Sequence, residues 1–272
     1  DPPAVSFVSG NSDYPESAGP VIVAPFGTIS DVDSANFDGG RMVVYFSNNG
    51  QPEDRIAIRN EGVGAGQISV NGSSVVFGGM VIGDWVGGTD GSTPLIISFN
   101  SNATPAIVQA LTRNITYENV SDAPSTAVRT MAGYVEDGDG GTSNVVSGTL
   151  TIIPSNDAPT IVSDGGGVSA TIFVAENTTA TTTVMATDPD STGLVYSFGG
   201  GADETAFSID SVTGELRFVS APNYEAPTDT NGDNVYEVIV RVVDSSSAAA
   251  TQTLFVTVTN TNEAPLATIA QP

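Results

Sequence analysis

Glu118, Asp137 and Asp157 each have a counterpart farther along this 272-residue chain. Tyr117-Glu118 returns as Tyr224-Glu225 and Asp137 as Asp244, both 107 positions on, while Asn156-Asp157 returns as Asn262-Glu263 after 106. Upstream the interval is wider. Glu16 matches Glu176 at 160 positions, and Asp31 and Asp33 match Asp188 and Asp190 at 157. Such side chains offer only oxygen ligands, which suit a hard cation such as calcium, bound by about six to eight oxygens in flexible geometry. Carboxylates gathered at one point repel one another unless a divalent ion neutralises them.

Composition narrows the chemistry further. There are 31 acidic residues against seven basic ones, all Arg, for a net charge of −24. That charge argues against nucleic acid and anionic membranes as direct partners, because both need Lys and Arg. Without Cys or His there are no disulfides, zinc fingers, thiol nucleophiles or imidazole bases. No apolar run is long enough to span a bilayer. The opening Asp1-Pro2-Pro3 carries no signal peptide, so the chain is expected to be an excised piece of a longer protein. Two carboxylates suffice for glycoside hydrolysis, but nothing singles out such a pair. Asp164-Gly165-Gly166-Gly167 lacks the Lys and the strand–helix context of a phosphate loop. The chain is not expected to be an enzyme.

These residues must be held by β-strands. Hydrophobic content of 39% permits packed cores, and the length allows two domains. In the second half seven short strands are predicted, among them Ser169 to Ala175, Val235 to Val243 and Thr251 to Val258. Gly, Asp, Asn or Ser clusters bound most of them, and seven such strands without a helix favour an antiparallel immunoglobulin-like sandwich. In the first half strand candidates include Ala4 to Val8, Met42 to Phe46, Arg55 to Arg59, Met80 to Ile82, Leu95 to Phe99, Val128 to Val135 and Val146 to Ile153. One helix is expected from Pro105 to near Arg113, capped by Thr104 or Asn102. The drop in repeat interval from 157 to 107 places about fifty extra residues before Tyr117. Trp85, within that insertion, is expected to fill the enlarged core rather than to stack on a sugar. Asp139 reads as a turn residue, and Asp229 and Asp233 as a solvated hairpin tip.

The second copy carries a series of short motifs in order. They are Ala175-Glu176-Asn177, Ala186-Thr187-Asp188-Pro189-Asp190, Phe207 to Leu216, Asn223-Tyr224-Glu225, Arg241-Val242-Val243-Asp244 and Asn262-Glu263-Ala264-Pro265. This series resembles a cadherin repeat in its bacterial form. The first copy resembles the longer cadherin-like repeats of bacterial surface proteins and, more faintly, repeats of chondroitin sulfate proteoglycan type. The resemblance implies two tandem all-β sandwiches, 1–156 with the insertion and short helix, and 157–265, with 266–272 beginning a linker to a following domain. It implies calcium at a hinge centred on Pro154 to Thr160, with Glu16, Glu118, Asn156, Asp157, Asp188, Asp190 and Asp244 as ligands. Asp31, Asp33 and Asp137 would face an upstream neighbour. Glu176, Glu225, Asn262 and Glu263 would form the corresponding half-site at the other end. Thr116 and Asn223 stand where the family carries Asp, and the linker Asn-Asp-Ala-Pro is one residue short. Both departures reduce the ions expected per joint. The function implied is a calcium-rigidified spacer or adhesion segment of a secreted or surface-anchored bacterial protein. Neighbouring repeats, a cell-surface protein or a polysaccharide are the implied partners. The alternative is a calcium-dependent carbohydrate-binding module.

Overall fold

A computed structural model describes residues 1–6 and 11–263. Phe7 and Val8 of the first expected strand, Ala264-Pro265 and the expected linker 266–272 lie outside the described residues. The chain divides into two compact units, Asp1–Ser155 and Asn156–Pro272. Both are β-sandwiches.

The first unit contains β1 (Ala4–Ser6), β2 (Asn11–Pro15), β3 (Val21–Ile22), β4 (Thr28–Ser30), β5 (Arg41–Asn48), β6 (Asp54–Ile58) and β7 (Ile68–Asn71). There follow β8 (Ser74–Phe77), β9 (Met80–Val86), β10 (Leu95–Phe99), β11 (Ile115–Asn119), β12 (Arg129–Glu136) and β13 (Val146–Ile153). One sheet has the order β2-β13-β12-β5-β10-β9-β8-β7, and a three-stranded sheet has the order β3-β11-β6. Met42, Val44, Leu95, Ile97, Met131 and Leu150 from the large sheet join Ile56, Ile58 and Tyr117 from the small one in a single core. Alternation along β6 and β10 turns Ile56, Ile58, Leu95 and Ile97 inward, as a half-buried strand requires. The extra strands β7 to β9 continue the large sheet outward from β10. Trp85, on β9, packs against the core and donates its ring N–H to the Gly72 carbonyl at 3.2 Å. The helix α1 (Pro105–Thr112) starts where Thr104 accepts from the Ile107 N–H, with Pro105 in its first turn, and it buries Val108 and Leu111.

The second unit contains β14 (Thr160–Ile161), β15 (Ser169–Ala175), β16 (Ala180–Thr183), β17 (Ala186–Thr187) and β18 (Val195–Gly200). It continues with β19 (Phe207–Ile209), β20 (Glu215–Phe218), β21 (Val235–Val243) and β22 (Ala249–Thr259). Sheets β15-β22-β21-β18 and β16-β20-β19 face each other across Val238, Val240, Val242, Leu254 and Val256 on one side and Phe207, Leu216 and Phe218 on the other. Phe207 stacks on Phe218 at 4.5 Å, and Tyr236 meets Phe218 edge-on at 5.1 Å. Each such buried side chain contributes roughly 1.5–3 kcal/mol through removal from water.

Both units use a parallel edge strand. In the first, β2 runs parallel to β13 with Pro15 opposite Ile153. In the second, β15 runs parallel to β22 with Ala175 opposite Thr259. Parallel pairing brings the two strand ends out side by side, and acidic residues lie just beyond those ends in both units.

Candidate metal centres

Glu16 follows β2. Its backbone N–H donates to the Ile153 carbonyl at 2.9 Å, and its Oε2 accepts from the Ser155 N–H at 2.6 Å. Glu176 follows β15 and repeats both bonds, donating to the Thr259 carbonyl at 3.1 Å and accepting from the Thr261 N–H at 2.8 Å. Glu176 is 2% exposed and also accepts from the Tyr224 N–H at 2.9 Å. Those N–H groups, of Thr261 first and then Tyr224, hold its carboxyl below the ordinary value of 4.5. Around it, Asn260 fixes Glu225 at 2.6 Å and Asn177 fixes Glu263 at 2.8 Å. Glu176, Glu225 and Glu263 each bring a carboxylate oxygen into a group whose members lie within 4.8 Å of one another, the one such group among the described residues. Asn262 adjoins Glu263 and is exposed.

The Asp-x-Asp pairs are also alike. Asp31 Oδ1 accepts from the N–H groups of Asp33 at 3.0 Å and Ser34 at 2.9 Å. Asp188 Oδ1 accepts from those of Asp190 at 2.9 Å and Ser191 at 2.7 Å. In both, Oδ1 closes a turn while Oδ2 is buried without a hydrogen-bond partner, as is Glu16 Oε1. Unpartnered buried carboxylate oxygens are costly unless something positive meets them. The third pair matches as well. Asp137 accepts from Asp139 and Gly141 N–H at 2.8 and 2.9 Å, and Asp244 from Ser246 and Ala248 at 2.9 and 2.8 Å. Gly138 beside Asp137 has φ +88°, and a Cβ there would lie 2.0 Å from the Asp38 carbonyl oxygen, so only glycine fits.

The second unit draws one sequence-predicted set together by direct bonds. The Asn156 amide donates to Asp244 Oδ2 at 2.7 Å, and the Asp157 N–H to Asp190 Oδ2 at 2.8 Å. The Asn156 bond is the leading cause that lowers the Asp244 carboxyl, ahead of the N–H groups of its own turn. Asp244 begins the turn that leads into β22, whereas Glu263 lies beyond its far end. Eleven residues of strand therefore separate this set from the Glu176 set, about 35 Å at the usual rise per residue. In the first unit the α-amino group of Asp1 donates to Asp33 at 2.5 Å and feels the charges of Asp31 and Asp137, so these three share one neighbourhood. Glu118 lies half-buried on β11 opposite Arg55. Arg55 turns instead to the carbonyls of Pro52 and Asp54, at 2.5 and 2.9 Å.

Four of the seven arginines pair with other carboxylates. Arg41 pairs with Glu136, Arg59 with Glu61, Arg129 with Asp54 and Arg217 with Glu215. Among the described residues no arginine forms an ion pair with any predicted ligand. Two groups of residues had escaped sequence reasoning. Asn177 and Asn260 orient Glu263 and Glu225. Asp54 and Arg129 form an ion pair with both side chains 0% exposed. The Asp229 carboxylate accepts from the N–H groups of Asp233 and Asn234 at its own hairpin tip.

The family model of the cadherin domain matches residues 170–259. Those residues form a cadherin domain. Solved structures similar to the chain include protocadherin gamma B7 extracellular cadherin domains 1–4, at 16% identity over 95% of this chain and 51% of that one, with a TM-score of 0.41. The human desmocollin-1 ectodomain is 16% identical over 97% of this chain and 41% of that one, with a TM-score of 0.41. This chain thus spans about half the length of the first and less of the second. No curated relative matches the sequence. Among the described residues no helix is long and apolar enough to cross a membrane.

The lowered carboxyls of the cadherin domain set a pH dependence. A carboxyl depressed on folding stabilises the native state above its unfolded pKa, and that contribution is lost as the pH falls through the folded one. Glu176 and Asp244 are both depressed. In chelator the cadherin domain is therefore expected to keep its melting temperature down to about pH 5 and to lose it progressively below about pH 4. Glu176→Gln should flatten that acid limb. A wild-type melting temperature unchanged between pH 5 and pH 3 would contradict the assignment.

Proposed function

We propose that both units bind calcium through these acidic sets and serve as calcium-stiffened extracellular repeats, acting as a spacer or adhesion segment of a bacterial surface protein. The observation that carries the reading is the convergence of Glu176, Glu225 and Glu263, with which no arginine forms an ion pair among the described residues. The donor set is all oxygen, carboxylate with nearby amide and backbone carbonyls, which matches calcium better than a transition metal. The ligands group by unit. Glu16 with Glu118, and Asp31 and Asp33 with Asp137, belong to the first. Asn156, Asp157, Asp188, Asp190 and Asp244, and separately Glu176, Glu225, Asn262 and Glu263, belong to the second. Neighbouring repeats of the same protein are the partners that this reading expects.

The test is calcium titration calorimetry on the chain and on Glu225→Gln. That substitution keeps the size of an exposed side chain and removes one ligand charge. Calcium affinity at this set is expected to fall at least tenfold (about 1.4 kcal/mol), with the melting temperature in chelator unchanged. A wild-type chain that takes up no calcium at millimolar concentration sinks the reading.

A further inference from the structure

We propose that Asp54 and Arg129 are positioning residues for Glu118, acting through Tyr117 and Asn119 on the backbone that presents its carboxylate. What Glu118 then binds rests on the calcium reading above; the positioning itself rests on geometry within the first unit.

Glu118 is bracketed by two inward neighbours that reach the same atom. Asp54 Oδ1 accepts from the Tyr117 hydroxyl at 2.6 Å and from the Asn119 amide at 2.7 Å. Asp54 Oδ2 accepts from Arg129 Nε at 3.2 Å and from the Gln51 N–H at 2.8 Å. Asp54, Tyr117 and Arg129 are each 0% exposed, and Asn119 is 5% exposed. Arg129 Nη1 also donates to the carbonyls of Ser125 and Ala127, which ties down the loop that follows β11.

The ladder alone does not hold this stretch from both sides. On β11, β3 pairs only with Thr116 and Tyr117. Beyond Tyr117 the strand has β6 on one side only, with Glu118 opposite Arg55 and Asn119 opposite Asp54. The side-chain network adds a tie to the other sheet, through Arg129 on β12. A buried ion pair adds little net stability over well-packed apolar residues, so stability alone does not account for one here.

The experiment compares wild type with Tyr117→Phe, which deletes one hydrogen bond but keeps the ring packed on Tyr14 and Phe46, and with Asn119→Ser. The control is Phe37→Leu, a core change away from β11. Two quantities are read: amide hydrogen exchange of residues 118–120 in chelator, and the dissociation constant for calcium chloride by calorimetry. Tyr117→Phe and Asn119→Ser are expected to speed exchange there at least tenfold and to weaken calcium binding several-fold. Phe37→Leu should lower the melting temperature and move neither. Unchanged exchange at 118–120 in both β11 variants overturns the proposal, as does faster exchange with an unchanged dissociation constant. If wild type binds no calcium, the calcium reading fails, and the exchange comparison still decides the positioning.

Discussion

Millimolar calcium is expected to raise the melting temperature of this protein by on the order of ten degrees relative to chelator. Ligand that binds only the native form adds RT ln(1 + [L]/Kd), about 2.7 kcal/mol at a hundredfold excess over Kd. For a unit the size of the cadherin domain each kcal/mol moves the midpoint by about 4–8 °C. The effect is large here because the apo protein starts from a poor electrostatic position. A chain of net charge −24 concentrates carboxylates at a few points. Three of their oxygens, on Glu16, Asp31 and Asp188, are buried without a partner. Magnesium is the informative control. It demands a tight octahedron and gives up water reluctantly, so it should stabilise much less at equal concentration. Identical melting curves in calcium and in chelator, with the chelated sample shown to be metal-free, would falsify the metal assignment.

Arg129→Met is expected to cost the first unit about 3–5 kcal/mol, the usual penalty for leaving a buried charge without its partner. Asp54 would keep the Tyr117, Asn119 and Gln51 donors but lose its only counter-charge. For a unit of this size the loss corresponds to a midpoint about ten degrees lower. Asp54→Leu combined with Arg129→Met should recover part of the loss, because both charges leave together. Trp85 is the sole tryptophan and lies in the first unit. Its fluorescence therefore reports that unit's unfolding without interference from the second. If Arg129→Met unfolded at the wild-type denaturant midpoint by this signal, the pair would contribute nothing to the fold.

The two predictions rest on features that differed in legibility. The acidic repeat could be read directly, because turn-closing aspartates recur in order and the same local bonds form around each copy. Strand β15 was read with its observed bounds, and β22 showed its inward face as Leu254, Val256 and Val258. Strand β2 was missed. Asn11-Ser12-Asp13-Tyr14-Pro15 has little strand propensity, and an edge strand pairs on one side only, so proline is tolerated. The buried ion pair was missed for a different reason. Arg and Asp are expected at the surface, and the expected strand began at Val128 with no partner assigned to Arg129. The alternation that puts Arg129 on the same face as Met131 and Val135 was present in the sequence. Only the three-dimensional pairing of β6 with β11 shows what Arg129 would meet there.

The parallel edge strands also decide how each unit carries load. In the cadherin domain β15 and β22 lie side by side over seven residue pairs, from Ser169 with Thr253 to Ala175 with Thr259. The chain enters near the start of one strand and leaves from the end of the other. A pull on the two ends thus drives the strands past each other lengthwise and loads the whole ladder at once. A hairpin pulled at its open end gives way one bond after another. The first unit has the same arrangement over five pairs between β2 and β13. Each sandwich is thus strained in shear rather than peeled, and the Glu16 and Glu176 carboxylates sit where that strain enters the fold.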